Sequence, residues 1–290
     1  MLTLEKHRSR QQFWELPEGR IAYVDEGSGP AILLIHGVPT SSWLYRHMIP
    51  LISQLGYRVI APDLLGYGNS SKPKGVDIYS PDKQSNRLLG LMQHLNIDSW
   101  THVCHDAGGI WTWELLLQAV DCISHLVILN TIAYKQGFHP PMEFKRGARM
   151  GKWYTSLYKS KLFCKLMVNA TLKNGLAAKH CELDKEDRRG YWLPMSEGVD
   201  RALYQFFTSF SEIYDKLPVY NQQLAQLRIP IMSIWGKQDK ILRGEEQIPQ
   251  LQAATHISPE DVHLLEDAAH FIQEEYPDKL ANWIAEFARK

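Results

Sequence analysis

Three short stretches of this chain hold residues whose types and positions could do covalent chemistry. The first is Cys104-His105-Asp106-Ala107-Gly108-Gly109, between an apolar, β-branched run at residues 97–103 and a helix-like apolar run at residues 110–120. Strand, Gly-rich turn, helix is the layout of an elbow that lifts one side chain above the end of a parallel sheet. Asp106 occupies the lifted position, Ala107 is the small residue after it, and Gly108 lets the helix pack closely. Cys104 stands where the usual elbow has its first glycine and crowds the turn. The plainer alternative is that Asp106 caps the following helix. The second stretch, Ile234-Trp235-Gly236-Lys237-Gln238-Asp239, places an acid just past a strand-like run, and the third, Leu265 through Phe271, places His270 between a strand and a helix. Taken singly, Asp239 is a loop carboxylate and His270 a residue at a helix start. Together, each at a strand end, the three read as a carboxylate nucleophile, an orienting acid and a histidine base.

The chemistry of that set is specific. A carboxylate is ionised at neutral pH without help from a base. It can attack a saturated carbon in line and expel a leaving group, giving an alkyl ester of Asp106. Water must then cleave the ester, and His270, made more basic by Asp239, would activate that water. His102 and His105 lie three apart in and just after a strand, so they point to opposite faces and do not chelate a metal. No metal or cofactor is expected.

The elements needed to position these residues are legible. Residues 13–16 and 21–26 read as a hairpin joined by Pro17-Glu18-Gly19-Arg20. Ala31 to Ile35 is a continuous apolar run, as in a strand buried on both faces. It ends in His36-Gly37-Val38-Pro39, where His36 is expected to support the loop. Residues 41–55 have helical spacing, 57–61 read as a strand, and 81–95 as a helix. Strands follow at 97–103 and 124–130. Buried strands alternating with helices predict an α/β fold with a mostly parallel central sheet and helices on both faces. Sites on such sheets lie beyond the carboxyl ends of the strands.

Between residue 131 and about residue 228 the strand signal disappears. Helical, aromatic-rich segments at 144–167, 186–193 and 199–214 replace it. The strand rhythm resumes at 229–235, with a last strand at 262–265 and a last helix at 271–289. The pattern predicts a core of residues 1–133 and 223–290, with a helical lid inserted at 134–222. Met142, Phe144, Met150, Phe163 and Met167 suggest an apolar, adaptable pocket under that lid. Trp111 and Trp113 read as core, and Lys72, Lys74 and Lys83 as a solvated loop.

Composition excludes several classes. Of 290 residues, 32 are Lys or Arg and 32 Asp or Glu, so nothing suggests a nucleic-acid or anionic-membrane partner. No apolar run reaches the ~20 residues needed to span a bilayer. The polar start MLTLEKHRSRQQ lacks the apolar core of a signal peptide. Four cysteines (Cys104, Cys122, Cys164, Cys181) form no C-x-x-C pair, so reduced thiols are expected. A soluble, cytoplasmic protein acting on a small apolar substrate, as monomer or homodimer, is the expectation.

The chain resembles the α/β-hydrolases of the branch containing epoxide hydrolases and haloalkane dehalogenases. The matching stretches are HGVPTSSWLYRHMIP from His36, APDLLGYGNSSKP from Ala61, HDAGG from His105, WGKQD from Trp235 and AAHFIQEEYP from Ala268. They cover the core and leave out the lid. Nucleophile, acid, histidine is also the chain order of that superfamily. The resemblance implies the α/β-hydrolase fold, an Asp106–His270–Asp239 triad, and an oxyanion hole made by the backbone N–H groups of Val38 and Ala107. It also separates the branches by what steadies the leaving group. Dehalogenases of this kind use a Trp directly after the nucleophile, with an Asn in the H-G-N-P loop or a lid Trp. Here those two core positions are Ala107 and Val38, leaving only Trp153 and Trp192 in the lid. Fluoroacetate dehalogenases use arginines after the nucleophile, and Ala107 and Ile110 cannot serve so. Epoxide hydrolases protonate the ring oxygen with lid tyrosines, for which the chain offers Tyr154, Tyr158, Tyr191 and Tyr204. Tyr154 and Tyr158 are four apart and share a helix face. The resemblance therefore favours a cofactor-free hydrolase opening an epoxide. The alternatives are a haloalkane dehalogenase with an atypical halide site, action on another strained ring such as a lactone, and a ligand-binding protein that kept the fold without turnover.

Overall fold

A computed structural model describes residues 2–139 and 151–290 of the chain. Met142, Phe144 and Met150, expected to line a pocket, lie outside the described residues, as does the start of the helical run at 144–167.

Eight strands form one sheet in the order β1-β2-β4-β3-β5-β6-β7-β8. They are β1 (Gln11–Leu16), β2 (Gly19–Glu26), β3 (Ala31–Ile35), β4 (Arg58–Pro62), β5 (Trp100–Asp106), β6 (Ile123–Thr131), β7 (Ile231–Gly236) and β8 (Val262–Leu265). β1 pairs antiparallel with β2, and β2 with β4. The remaining pairings are parallel. Every residue of β3 is buried, as a strand covered on both faces requires. The chain is thus an α/β protein with a mostly parallel sheet, in agreement with the strand–helix alternation.

The core helices are α1 (Leu4–Ser9), α2 (Met48–Gln54), α3 (Pro81–His94) and α4 (Gly108–Ala119) before β6. Pro81 opens α3 at a position where a missing N–H costs nothing. Two segments expected as single helices are split. Residues 41–55 form a 3-10 turn at Ser42–Tyr45 and then α2. Ser41 caps that turn through the Trp43 N–H, and Pro50 sits in the first turn of α2. The last run breaks at Tyr276, because Pro277 fixes the preceding residue outside helical geometry and starts a new helix.

Between β6 and β7 the described residues add no further strand, only an isolated bridge from Phe138 to Leu242, and build the helices α5 (Gly151–Ser156), α6 (Lys161–Gly175), α7 (Lys185–Ser196), α8 (Asp200–Thr208) and α9 (Phe210–Gln226). Asp184 starts α7 with a reciprocal capping box to Asp187. After β7 come α10 (Gly244–Ala254), α11 (Ile272–Glu275) and α12 (Pro277–Phe287). Among the described residues no helix is long and apolar enough to cross a membrane.

Candidate active site

Asp106 closes β5 with φ of 53°, in the left-handed region. A non-glycine residue held there is strained, and such strain persists where the surroundings over-determine it. Those surroundings are close. A Cβ on Gly37 would lie 2.2 Å from Asp106 Oδ1, and one on Gly108 would lie 2.8 Å from the Ile35 carbonyl oxygen. Only glycine admits the carboxylate at the first position and the helix at the second. α4 starts at Gly108 without a side-chain cap, so Asp106 does not cap it. Instead Asp106 Oδ1 accepts from the Val38 N–H at 2.8 Å, and the Ala107 N–H also favours its ionised form.

His270 stands between two carboxylates. Its Nδ1 donates to Asp239 Oδ2 at 2.8 Å, and its Nε2 lies 3.6 Å from Asp106 Oδ2. The side chains of His270 and Asp106 keep 13 % and 18 % of their surface exposed, so both are reachable from the cavity. Asp239 sits at the end of β7, where its Oδ1 accepts the N–H groups of Ile241 and Leu242 at 2.9 and 3.0 Å. The sequence reading thus named three side chains that the fold brings together beyond the carboxyl ends of β5, β7 and β8.

The electrostatics follow from burial and pairing. Burial pushes the Asp106 carboxyl above the usual carboxylate range, against the pull of His270 and the two N–H groups. For His270, burial acts downward, but the charge and hydrogen bond of Asp239, with Asp106 behind them, carry the balance above the ordinary histidine value. Burial likewise acts upward on Asp239, and His270 with its N–H donors brings it below the ordinary value.

Two polar residues complete the arrangement: Asn130, which the sequence offered only as the end of a strand, and His105, which it offered only as a non-chelating neighbour of His102. Asn130 is skipped in the β5–β6 register, where His105 faces Leu129 and Asp106 faces Thr131. This bulge, with φ of 26°, turns the Asn130 amide toward the site. Its Nδ2 donates to Asp239 Oδ2 at 2.8 Å, and its Oδ1 accepts from the Gly236 N–H. His105 Nε2 donates to the His270 carbonyl oxygen at 2.9 Å. The available signal for Asn130 was an amide closing an otherwise apolar strand; for His105 it was membership of the elbow itself. His36 supports its loop as expected, with Nδ1 donating to the Gly37 carbonyl and Nε2 accepting from the Leu64 N–H. His102 turns away to Thr112, and Trp111 and Trp113 are core.

A cavity of about 480 Å3 opens over Asp106 and His270. Ile132, Phe138, Leu203, Phe206 and Phe207 make its apolar wall, with Tyr154 and Tyr158 on the α5 side and Val38 and Pro39 near the carboxylate. The two tyrosine rings meet edge-on at 5.9 Å. Phe163 packs on Tyr158, and Met167 lines the cavity.

The other residues expected over Asp106 lie elsewhere. Tyr191 donates its hydroxyl to Glu274 Oε1, inside a buried cluster with Arg46 and Asp187 that ties α7 to the core. Burial of that charge cluster fixes its direction away from the cavity. Tyr204 packs on Gly151 and beneath the Lys152 amine. Trp153 is 67 % exposed, and Trp192 is half-buried under Lys165. None of these four is among the described residues that line the cavity. Lys72 also departs from its expected solvated role, because its amine donates to the carbonyls of Gly68 and Ser70 and braces that loop. Among the described residues no cluster of three or more His, Cys, Asp or Glu could hold a metal ion.

Known proteins share this architecture. The family profile described as the alpha/beta hydrolase fold matches residues 30–165. A haloalkane dehalogenase of Mycolicibacterium paratuberculosis is 28 % identical over 274 residues, covering 91 % of this chain and 86 % of its own. Epoxide hydrolase 3 of Xenopus tropicalis is 24 % identical over 285 residues, covering 93 % and 75 % respectively. The solved structure of the epoxide hydrolase CorEH without ligand superposes with a TM-score of 0.78 at 24 % identity, over 96 % of this chain and 97 % of that one, a likeness of fold. With its elbow, sheet order and relatives in agreement, the chain has the α/β-hydrolase fold and is similar to the hydrolases of the branch shared by epoxide hydrolases and haloalkane dehalogenases.

Proposed function

We propose that the protein is a cofactor-free hydrolase that opens an epoxide, or a closely related small apolar electrophile, through a covalent ester on Asp106. Asp106 Oδ1 is already held by the Val38 N–H, so Oδ2, on the His270 side, is the attacking atom. The new C–O bond forms as the ring C–O bond breaks. Tyr154 or Tyr158 donates its proton to the departing oxygen, which stays attached as a hydroxyl. His270 Nε2 then takes a proton from water, and the hydroxide adds to the Asp106 carboxyl carbon. Oδ1 becomes the oxyanion, with the N–H groups of Val38 and Ala107 as its donors. Collapse releases the diol and restores the carboxylate.

The observation that carries this reading is the cavity wall. Two tyrosines line it, and among its described lining residues there is no indole N–H to cradle a halide. The likeness to haloalkane dehalogenases supports the second reading, a dehalogenase with an atypical halide site.

Intact-mass measurement on His270→Ala separates them. Without the base, the ester should accumulate. Incubation with a terminal aryl epoxide is expected to add the whole epoxide mass, and Asp106→Ala should abolish the adduct. An alkyl adduct from a bromoalkane, with bromide released and no epoxide adduct, would establish the dehalogenase instead. A blank across a broad panel of both would leave the non-catalytic binding protein. Replacing the general acid is expected to slow ring opening by about 10²–10⁴-fold in Tyr154→Phe or Tyr158→Phe, while attack on an alkyl bromide is spared.

A further inference from the structure

The balanced charge of the whole chain conceals a local excess. Residues 151–181 contain Lys152, Lys159, Lys161, Lys165, Lys173 and Lys179 and no aspartate or glutamate. Lys159 is offset by Asp200 at 3.5 Å. Lys161, Lys165 and Lys173 lie on the solvent side of α6 without a carboxylate of their own helix to answer them. The same segment carries the three most exposed large apolar side chains among the described residues: Leu162 at 68 %, Trp153 at 67 % and Leu166 at 60 %. Two of the three share a helix face, and the third lies on the helix before it. Leu162 and Leu166 are four apart on α6 and share one face. Trp153 adjoins Tyr154, whose ring packs on Phe163, the neighbour of Leu162. One turn beyond Leu166, Ala170 is exposed and also lines the cavity, with Thr171 and Asn174 beside it. The apolar strip therefore ends at the cavity mouth.

We infer that this face of α5 and α6 docks on an anionic lipid surface. An apolar strip fringed by lysines is what a peripheral membrane face requires. The apolar side chains enter the headgroup boundary, and the lysines meet the lipid phosphates and carboxylates. A second copy of the chain fits poorly, because a two-fold contact would set the lysines of one copy against those of the other. The inference does not depend on the reaction assigned to Asp106. If that reaction holds as well, the docked mouth faces the phase where apolar epoxides dissolve.

Sedimentation with vesicles tests the docking with no reference to activity. The intact protein is expected to bind phosphatidylserine–phosphatidylcholine vesicles at low salt and to leave pure phosphatidylcholine vesicles largely unbound. Lys165→Gln with Lys173→Gln should weaken binding by about fivefold for each lysine. Trp153→Ser, Leu162→Ser and Leu166→Ser together should weaken it by about tenfold or more. Unchanged thermal melting of these surface variants shows that the fold is intact. No binding to the anionic vesicles, or undiminished binding by the triple variant, overturns the inference. So does a dimer in sedimentation velocity that the triple variant breaks, since the strip would then be covered by a second copy.

Discussion

Asp106 combines a left-handed backbone with a carboxylate that burial drives above its usual pKa. A carboxyl whose folded pKa exceeds its unfolded one costs stability as pH rises past the unfolded value, and the cost is complete above the folded value. Asn keeps the shape, tolerates positive φ and carries no charge. Asp106→Asn is therefore expected to raise Tm at neutral pH by roughly 2–4 °C, with the gain shrinking as pH falls below the carboxylate range. The same change should abolish the covalent adduct. His270 gives a second prediction at this scale. Asp106 is one of the charges that raise it, and the proposed ester would remove that charge. His270 must be neutral to accept a proton, so ester hydrolysis should rise with pH through the His270 pKa of the intermediate. That limb is expected below the histidine titration measured by NMR in the free enzyme. Coincidence of the two would show that Asp106 does not influence the base. Asn130 binds the same oxygen of Asp239 that His270 uses. Asn130→Ala is expected to slow ester hydrolysis by about 10–100-fold, the range found when a hydrogen-bond partner that orients a metal-binding side chain is removed.

At the scale of elements, Glu274 shows why part of the site was illegible. The sequence displayed Tyr191 as one of several aromatics on a helical run, equivalent to Tyr154. The fold pairs Arg46 with Glu274 in the interior and brings α7 down on them, so Tyr191 spends its hydroxyl there. That pairing joins residues 228 apart in sequence, and no periodicity reports it. Asn130 was hidden for a related reason, since a register skip between β5 and β6 decides which way its amide turns. The strand-end loops were readable because elbow, acid and histidine each follow an apolar run that any parallel sheet would bury. The paired helices at 41–55 and 271–289 were merged because apolar spacing continues across breaks that caps and Pro277 impose. Glu274→Ala tests the anchor. It leaves the Arg46 guanidinium buried with Asp187 alone, and a loss of about 3–5 kcal/mol in the urea unfolding free energy is expected. A loss under ~1 kcal/mol would mean that water reaches the cluster.

For the molecule as a whole, the sheet gathers the reacting groups at one edge and the helices between β6 and β7 stand over them. Two sets of bonds join these layers beside His270. The Gly175 carbonyl at the end of α6 accepts the N–H groups of both His270 and Phe271 at 3.0 Å. The Glu275 carboxylate accepts from Ala177 and Ala178 on one side and from Ala269 on the other. A swing of α6 about this end would strip His270 of its backbone support at the moment of opening. Traffic through the cavity must then use side-chain rearrangement at the mouth, while this seam stays shut. In deuterium exchange, the amides of residues 177, 178 and 269–271 are expected to open together, at the slow rate of the central strands.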